Sequence, residues 1–508
     1  MVSARAVKTG VICLVLAALC IGSPIGGAEQ PAPKPVRSIL ICYFSNPNDY
    51  QSRSVGAAIG RMLRYRASNL PQLSNLPPLN VIERVMRQEG LTHRLALNLP
   101  EALKVAKVSG QEWTIIGTVK RTGKNFIIRA EIYGASTGRM IGRPIVVSGD
   151  EAGLPKMEPE LARNIFSGIG LQLTAQQQSD MGRVLTTKYQ AVRLLGDYLL
   201  APDKTSSRQL DKLLIADTKF PVAAVHRVDR AMEEGRYTDA ILIAREWKVK
   251  CPSNRDFPSY EFGGLLALRK FGEAANVLNR LDAGYPDSFS LTLLRHWLYR
   301  FQGNYGGALE TARKLTELNS ASPEGRARTS IAALERALHI GASLYLSQMT
   351  SGQAREFAAS VDLACEEGER AVALDPRYDQ VWLTLMAAYR ERGDYVKSYA
   401  AYRKLMALDA GNCEARSSQA LNYLCQNKTQ MARELWEDVL IRNPRMLDAQ
   451  LGLAICAKYE GASKTAAALS SKVITADKRY GDMMYLRRER SWPIELAETA
   501  AGLRSPKK

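Results

Sequence analysis

Four histidines are scattered along the 508-residue chain, His93, His226, His296 and His339, and no two stand at a spacing that would let them share a metal ion. There is no His-Glu-x-x-His stretch, no Cys-x-x-Cys pair, no phosphate-cradling P-loop and no dinucleotide-binding glycine fingerprint. One catalytic pattern is present. Gly134-Ala135-Ser136-Thr137-Gly138 satisfies G-x-S-x-G, the elbow that exposes a nucleophilic serine. That elbow must run from a strand into a helix, because the strained turn and the helix amino terminus present the hydroxyl. Here Met140-Ile141 and Ile145-Val146-Val147 follow, a strand-like composition, so the stretch reads as a hairpin turn. Glu233-Glu234 and Glu366-Glu367 fall in helical stretches and read as solvated faces. The sequence thus predicts no catalytic residue, no cofactor and no metal, and a binding role rather than an enzymatic one.

Charge is the second chemical signal. Lys and Arg number 69 against 51 Asp and Glu, for a net +18. Such an excess favours nucleic acid, anionic lipid or an acidic polymer as partner. The basic residues form three groups: Arg61, Arg64 and Arg66 close together on one helical stretch, Lys104, Lys107, Lys120, Arg121, Lys124 and Arg129 around strand-like segments, and Arg487, Arg488 and Arg490 near the carboxyl end. No nucleic-acid-binding module surrounds any of them, so no nucleic-acid partner is expected. An anionic envelope surface remains as a specific reading, beside the plain one of dispersed, solvated charge. Apolar residues make up 46% and charged residues 24%, an ordinary globular balance that excludes collagen-like and wholly disordered chains.

The amino terminus sets the expected compartment. Arg5 and Lys8 precede eleven apolar residues, Val11 to Ile21, and a small-residue run ends at Gly26-Gly27-Ala28. This is the layout of a secretory signal peptide over 1–28. It is short of the roughly 20 apolar residues of a spanning helix, although an uncleaved anchor is its other reading. Cleavage lowers the charge to +16 by removing Arg5 and Lys8, and leaves no transmembrane span. Localisation is then periplasmic or otherwise extracytoplasmic. Six cysteines remain, Cys42, Cys251, Cys365, Cys413, Cys425 and Cys456. Their pairing is not readable from spacing, and most read as small buried hydrophobes.

A proline-rich linker covers 29–36. An α+β domain is expected over 37–175, with a mixed sheet that includes an antiparallel meander. Ile39 to Phe44 reads as a buried strand, and Val55, Ala58, Ile59, Met62 and Leu63 recur at helical spacing. Leu79 to Ile82 is expected as a second short strand and Glu101 to Lys107 as a helix. Trp113–Val119, Phe126–Tyr133 and Met140–Val147 read as strands joined by tight turns. Leu161–Leu171 reads as a closing helix. The opening ILICYF, its following helix, and the run EALKVAKVSGQEWTIIGTVKRTGKNFIIRAEIYGASTGRMIG match in order the elements of a known bacterial domain. Segment 37–173 therefore resembles the TolB amino-terminal-like domain that precedes repeat arrays in many bacterial proteins. The resemblance brings no enzymatic chemistry with it.

The second half is periodic. Ala240, Ala274 and Ala308 recur every 34 residues, as do Ala364, Ser398, Ala432 and Ala466. Tyr237, Phe271 and Tyr305 keep the same step, and the two series are offset by an insertion of 22 residues near 320–360. Gly235, Gly303, Gly393 and Gly461 stand five residues before the small residue, where a helix must end and φ > 0 is needed. Arg269 and Asn427 replace that glycine in two units. This pattern resembles the tetratricopeptide repeat (TPR) family, so an all-α TPR solenoid is expected over 221–480. A helical connector or degenerate repeat precedes it at 176–220, and a capping helix and tail follow at 481–508. Such arrays bind partners along the inner face lined by their first helices. Counting from Ala432, the resemblance implies groove residues Gln380, Leu383, Ala387, Arg390 and Glu391, then Glu414, Ser417, Leu421, Leu424 and Cys425, then Asp448, Leu451, Ile455, Lys458 and Tyr459. The family's clamp for a peptide carboxyl terminus wants Lys and Asn where this chain has Ala387, Leu421 and Ile455. An apolar groove with charged edges, suited to a protein or peptide segment, is the expectation.

The leading expectation is a non-enzymatic extracytoplasmic scaffold or adaptor that holds protein partners through the repeat groove and the α/β docking domain. The alternatives are an envelope hydrolase using the α/β domain, and a basic binder of anionic lipid or acidic wall polymer.

Overall fold

The structure, a computed structural model, describes residues 38–46, 49–73, 76, 79–91, 96–201, 203–284, 288–343 and 349–503. The expected signal peptide, the proline-rich linker and the last five residues lie outside them.

Strand β1 (Ile39–Ile41) runs parallel to β2 (Trp113–Thr122), with Ile39 opposite Trp113. β2 pairs antiparallel with β3 (Asn125–Gly134), and β3 antiparallel with β4 (Ile145–Asp150). The result is one mixed four-stranded sheet in the order β1-β2-β3-β4. Strand alternation sorts its two faces. Ile39 and Ile41 join the cluster built by α1 (Tyr50–Ala67) and α4 (Leu154–Gly168), whereas Leu40 and Cys42 join α2 (Leu79–Gln88) and α3 (Leu99–Val108). Asp49 starts α1 by accepting from the Gln51 and Ser52 amides, which satisfies two orphan donors.

One expectation needs correction here, and the turn expected at 134–138 is present. Leu79–Ile82 opens helix α2 and is not a strand. Its short apolar run does not fix the type, but Ile82, Val85 and Met86 are buried while Glu83 and Arg87 are exposed, a helical period. The stretch 134–138 is a turn: the Gly134 amide donates to the Arg139 carbonyl and the Gly138 amide to the Gly134 carbonyl. Met140 then bridges back to Tyr133, so Ser136 does not sit at the start of a helix.

Helices α5 (Ala175–Gly182), α6 (Tyr189–Leu200) and α7 (Asp203–Ala216) lead into the array. α6 lies so close on α1 that a Cβ at Gly196 would meet the Ser54 carbonyl oxygen at 1.8 Å. Among the described residues seven antiparallel pairs follow: α8 (Pro221–Glu233) with α9 (Tyr237–Lys250), α10 (Asp256–Ala267) with α11 (Phe271–Gly284), α12 (Phe289–Phe301) with α13 (Tyr305–Leu318), α14 (Pro323–Ser343) with α15 (Ser351–Leu374), α16 (Asp379–Glu391) with α17 (Tyr395–Leu408), α18 (Cys413–Cys425) with α19 (Thr429–Arg442), and α20 (Leu447–Tyr459) with α21 (Ser463–Ala476). Every small residue of the 34-residue series is buried. Most of the 22-residue insertion is spent on the longer helices α14 and α15, of 21 and 24 residues. The turns of Gly235, Gly303, Gly393 and Gly461 have φ of 72 to 81°, and Arg269 and Asn427 adopt 57° in the same place. A short 3-10 turn (Lys478–Gly481), α22 (Met483–Glu489) and α23 (Ile494–Ala501) close the chain.

The α/β part is seated on the array. One apolar cluster runs from Ile115 through Met62 to Trp247 and Phe257. Successive inter-pair corners then hold it. The Asn254 amide donates to Asn69 Oδ1 (2.6 Å), Ser290 Oγ to the Leu76 carbonyl (3.0 Å) and the Asn319 amide to the Gly110 carbonyl (2.9 Å). Arg84 of α2 pairs with Glu324 and Asp375 and stacks on Tyr378. Residues Arg37–Lys508 form one compact unit. Among the described residues no helix is long and apolar enough to cross a membrane.

Candidate partner-binding groove

The first helices of five successive pairs, α12, α14, α16, α18 and α20, wall a cavity of about 330 Å³. Gln380, Leu383, Ala387 and Arg390 of α16 line it, as do Glu414, Ser417 and Leu421 of α18 and Asp448 of α20. Counting by 34 therefore places eight residues on one surface, as the first-helix register requires. Leu424 and Tyr459 line a separate recess of about 510 Å³, with Glu391 and Cys425. Leu451 lies in the core instead, and Lys458 is exposed and lines neither space. Leu451 falls one turn from Ile455 and packs with Trp436 and Leu486, so its apolar side chain is spent on the stack.

What separates the two spaces is the chain's own carboxyl-terminal segment. Arg488 to Trp492 form a wall of the first, and Arg487 with Pro493 to Leu496 a wall of the second. The segment is held like a bound peptide. Arg390 donates to the Ser491 carbonyl, and also to Ser418 Oγ (3.2 Å) and Asn422 Oδ1 (3.3 Å). Arg487 forms a two-bond pair with Glu391 and donates to the Trp492 carbonyl (3.0 Å). Asp448 accepts from the Trp492 indole (3.0 Å), the Tyr480 hydroxyl (2.9 Å) and Arg490. Sequence reasoning expected a cap here but not an occupant of the groove. The visible signal was a tryptophan inside a basic stretch, Arg487-Arg488-Glu489-Arg490-Ser491-Trp492, which a merely solvated tail would not need.

Electrostatics follow from burial. Loss of water pushes the Arg390 guanidinium below its ordinary value, with Arg487 adding to the effect. Burial also works against the Arg490 charge, yet its bonds to Asp448 win and its pKa rises. At the far end of the groove, Arg300 pairs with Glu335. The groove so combines an apolar floor, from Leu334, Leu338, Leu383 and Leu421, with buried arginines and carboxylates that answer backbone and side-chain groups of the turn after α22.

The basic groups read as solvated charge are redistributed. Arg61, Arg64 and Arg66 are buried, because α1 is covered by the repeats on one side and the sheet on the other. Arg66 alone gives two bonds of 2.7 Å to the buried carboxylate of Glu158. Lys107, Lys120 and Lys124 stay exposed. All six described cysteines are unpaired; burial raises Cys42 and Cys456 to about 12 and Cys365 to about 11, so their thiolates are suppressed. Among the described residues, no three His, Cys, Asp or Glu side chains group as metal ligands would.

No family model matches the chain, and no curated protein matches it. Solved structures do align. A tetratricopeptide repeat protein from Parabacteroides merdae is 13% identical with a TM-score of 0.42, over 55% of this chain and 96% of its own. YrrB, described as a TPR protein with an unusual peptide-binding site, is 10% identical with a TM-score of 0.30, over 41% of this chain and 95% of its own. Human IFIT1, solved as a dimer with m7Gppp-AAAA, is 13% identical with a TM-score of 0.38, over 63% of this chain and 77% of its own. The helix-pair array rests on its own 34-residue geometry rather than on these likenesses.

Proposed function

We propose that the chain is a non-enzymatic scaffold outside the cytoplasm, and that the inner face of its TPR array holds an extended segment of a protein partner. One observation carries this reading. The groove already holds a segment of its own chain, Arg487–Trp492, the end of α22 and the turn after it, through a backbone carbonyl on Arg390 and an indole and a guanidinium on Asp448. The leader-like amino terminus supports export. The TolB-like α/β part, seated along the array corners, stiffens the inner face and leaves its outer sheet side, with Ile127 and Val146 exposed, for a second contact.

Affinity capture from an envelope fraction tests it, with the wild-type chain beside Leu383→Arg. Leu383 lines the groove and is half-buried at the edge of a core cluster, so an arginine there can turn its charge into the groove. Loss of a specific protein from the variant, with unchanged melting, is expected; an identical set of captured proteins contradicts the groove as the binding face. A second reading, contact with an anionic surface, keeps the exposed Lys107, Lys120 and Lys124 as its support. It requires binding to anionic vesicles that weakens as salt rises.

A further inference from the structure

Four arginines line the groove cavity of about 330 Å³: Arg300, Arg390, Arg488 and Arg490. Two are met by carboxylates, Arg300 by Glu335 and Arg490 by Asp448. Arg390 and Arg488 have no acidic partner among the described residues. Arg390 is only 4% exposed, and its guanidinium reaches neutral oxygens alone: the carbonyl and hydroxyl of Ser418 at 3.5 and 3.2 Å, the Asn422 side-chain oxygen at 3.3 Å and the Ser491 carbonyl. The Nε protons of both arginines are buried and find no acceptor among the described residues.

The other carboxylates of the groove are committed or hydrated. Glu391 exerts the largest favourable charge on Arg390, but both its oxygens are taken by Arg487, whose own charge acts the other way. Glu414 and Glu489 also line the cavity; both are exposed, and neither pairs with Arg390 or Arg488. Arg390 has thus given up its water without meeting a counter-charge, which costs free energy. A hydrogen bond between ionised partners is roughly twice as strong as a neutral one, so a carboxylate outcompetes the oxygens now in place. The Ser491 carbonyl is the readiest of them to leave. Ser491 sits at a φ of 54°, a left-handed backbone that a side chain disfavours.

We propose that the partner segment inserts an acidic side chain, Asp or Glu, into this cavity, with its carboxylate on Arg390 beside Arg488 and its apolar neighbours against Leu383 and Leu421. This assignment rests on the groove as the binding face and adds what that face selects. A guanidinium fork matches the two oxygens of a carboxylate. The volume stands at the lower end of the range of about 300–1,000 Å³ usual for ligand sites, so it admits a side chain rather than a folded element. The net charge of +18 attracts the same kind of partner and speeds its encounter.

Selection of random peptides on the full chain tests this, the peptides being displayed on phage with their carboxyl ends fused so that no terminal carboxylate is offered. Leu383→Trp, which crowds the groove without adding charge, reports whether a selected peptide binds there. The selected peptides should share an Asp or Glu at one fixed place between apolar residues. Changing that residue to Asn or Gln in the synthetic peptide should weaken binding at least about tenfold, the loss of a charged hydrogen bond. Arg390→Gln should remove this difference between the acidic peptide and its amide version. If that variant fails to fold, the peptide substitution still decides, together with Arg488→Gln at a half-buried position, which should weaken the acidic peptide and not the amide version. Peptides that lose binding to Leu383→Trp yet share no acidic position, or that bind equally as the amide, overturn the acidic assignment and leave the groove as the binding face. Peptides that bind Leu383→Trp as well as wild type, or a selection that yields none, overturn both.

Discussion

Arg487 donates to both oxygens of Glu391, at 2.7 and 2.5 Å, with the two side chains only 3 and 8% exposed. The residues are 96 positions apart in sequence. This pair fastens the carboxyl-terminal segment across the inner face of the array. Removing one partner of a buried pair leaves the other charge stranded, at a cost of about 3–5 kcal/mol. Arg487→Ala should therefore lower stability by that order and expose residues 483–496 to limited proteolysis. Arg487→Met with Glu391→Leu should recover most of the loss, since no charge is then left buried. An Arg487→Ala chain that melts and resists protease like wild type would mean that the pair does not hold the segment.

The backbone at Arg269 makes a second test. Its φ of 57° is the left-handed turn that Gly235, Gly303, Gly393 and Gly461 adopt at equivalent places. A side chain there costs about 1–2 kcal/mol relative to an unstrained backbone, while glycine carries an entropic cost of its own. Arg269→Gly should stabilise the fold by about 1 kcal/mol in denaturant unfolding, and Gly235→Ala should destabilise it by a similar amount. Opposite signs would show that turn strain does not decide stability at these sites.

Ala432 is fully buried where α19 meets its neighbours, close to the buried Trp436 in the same apolar cluster. Ala432→Leu inserts three carbons into that contact and should cost roughly 1–3 kcal/mol through overpacking. Unchanged melting would mean that close helix approach does not depend on the small residue.

Glu324 supplies the pH dependence. Burial works to raise its carboxyl, but the charges of Arg328 and Arg84 and hydrogen bonds from Arg328 and Tyr378 outweigh it and hold the pKa at about 2, below the ordinary 4.5. A depressed folded-state pKa contributes stability that is present above about 4.5 and is lost as pH falls toward 2. Its size is about 3 kcal/mol. The stability gap between wild type and Glu324→Gln should therefore shrink as pH falls from 5 to 2. A gap that is constant or widens over that window would contradict the ion-pair assignment that joins α2 to the fourth pair.

Local periodicity was legible and long-range contacts were not. The 34-residue step located the helix pairs, because each pair repeats the same short-range packing. It also found the left-handed turns, including Arg269 and Asn427, where glycine is missing. The β-rich run Phe126–Tyr133 located β3, whose alternating burial puts Phe126, Ile128 and Ala130 on the inner side. Leu79–Ile82 misled because a four-residue stretch with three apolar residues suits a strand or a helix, and only the continuation to Met86 decides. The first-helix register found Gln380, Leu383, Arg390 and Leu421 in the groove. It misplaced Leu451, since an apolar residue at a groove position can equally serve the stack. Arg61 and Arg64 read as surface charge because nothing nearby in sequence reveals that the repeats will cover α1. The occupant of the groove was hidden for the same reason: Arg487 and Trp492 meet their partners across 96 and 44 positions.

The most direct measurement is photocrosslinking in envelope extracts from a reactive side chain placed at Leu383, which lines the groove, and for comparison at Val396, which is 82% exposed on the second helix α17. A discrete crosslinked protein from position 383 and none from 396 is the predicted result. Crosslinks of equal yield from both positions, or from 396 alone, would contradict partner binding along the inner face of the array.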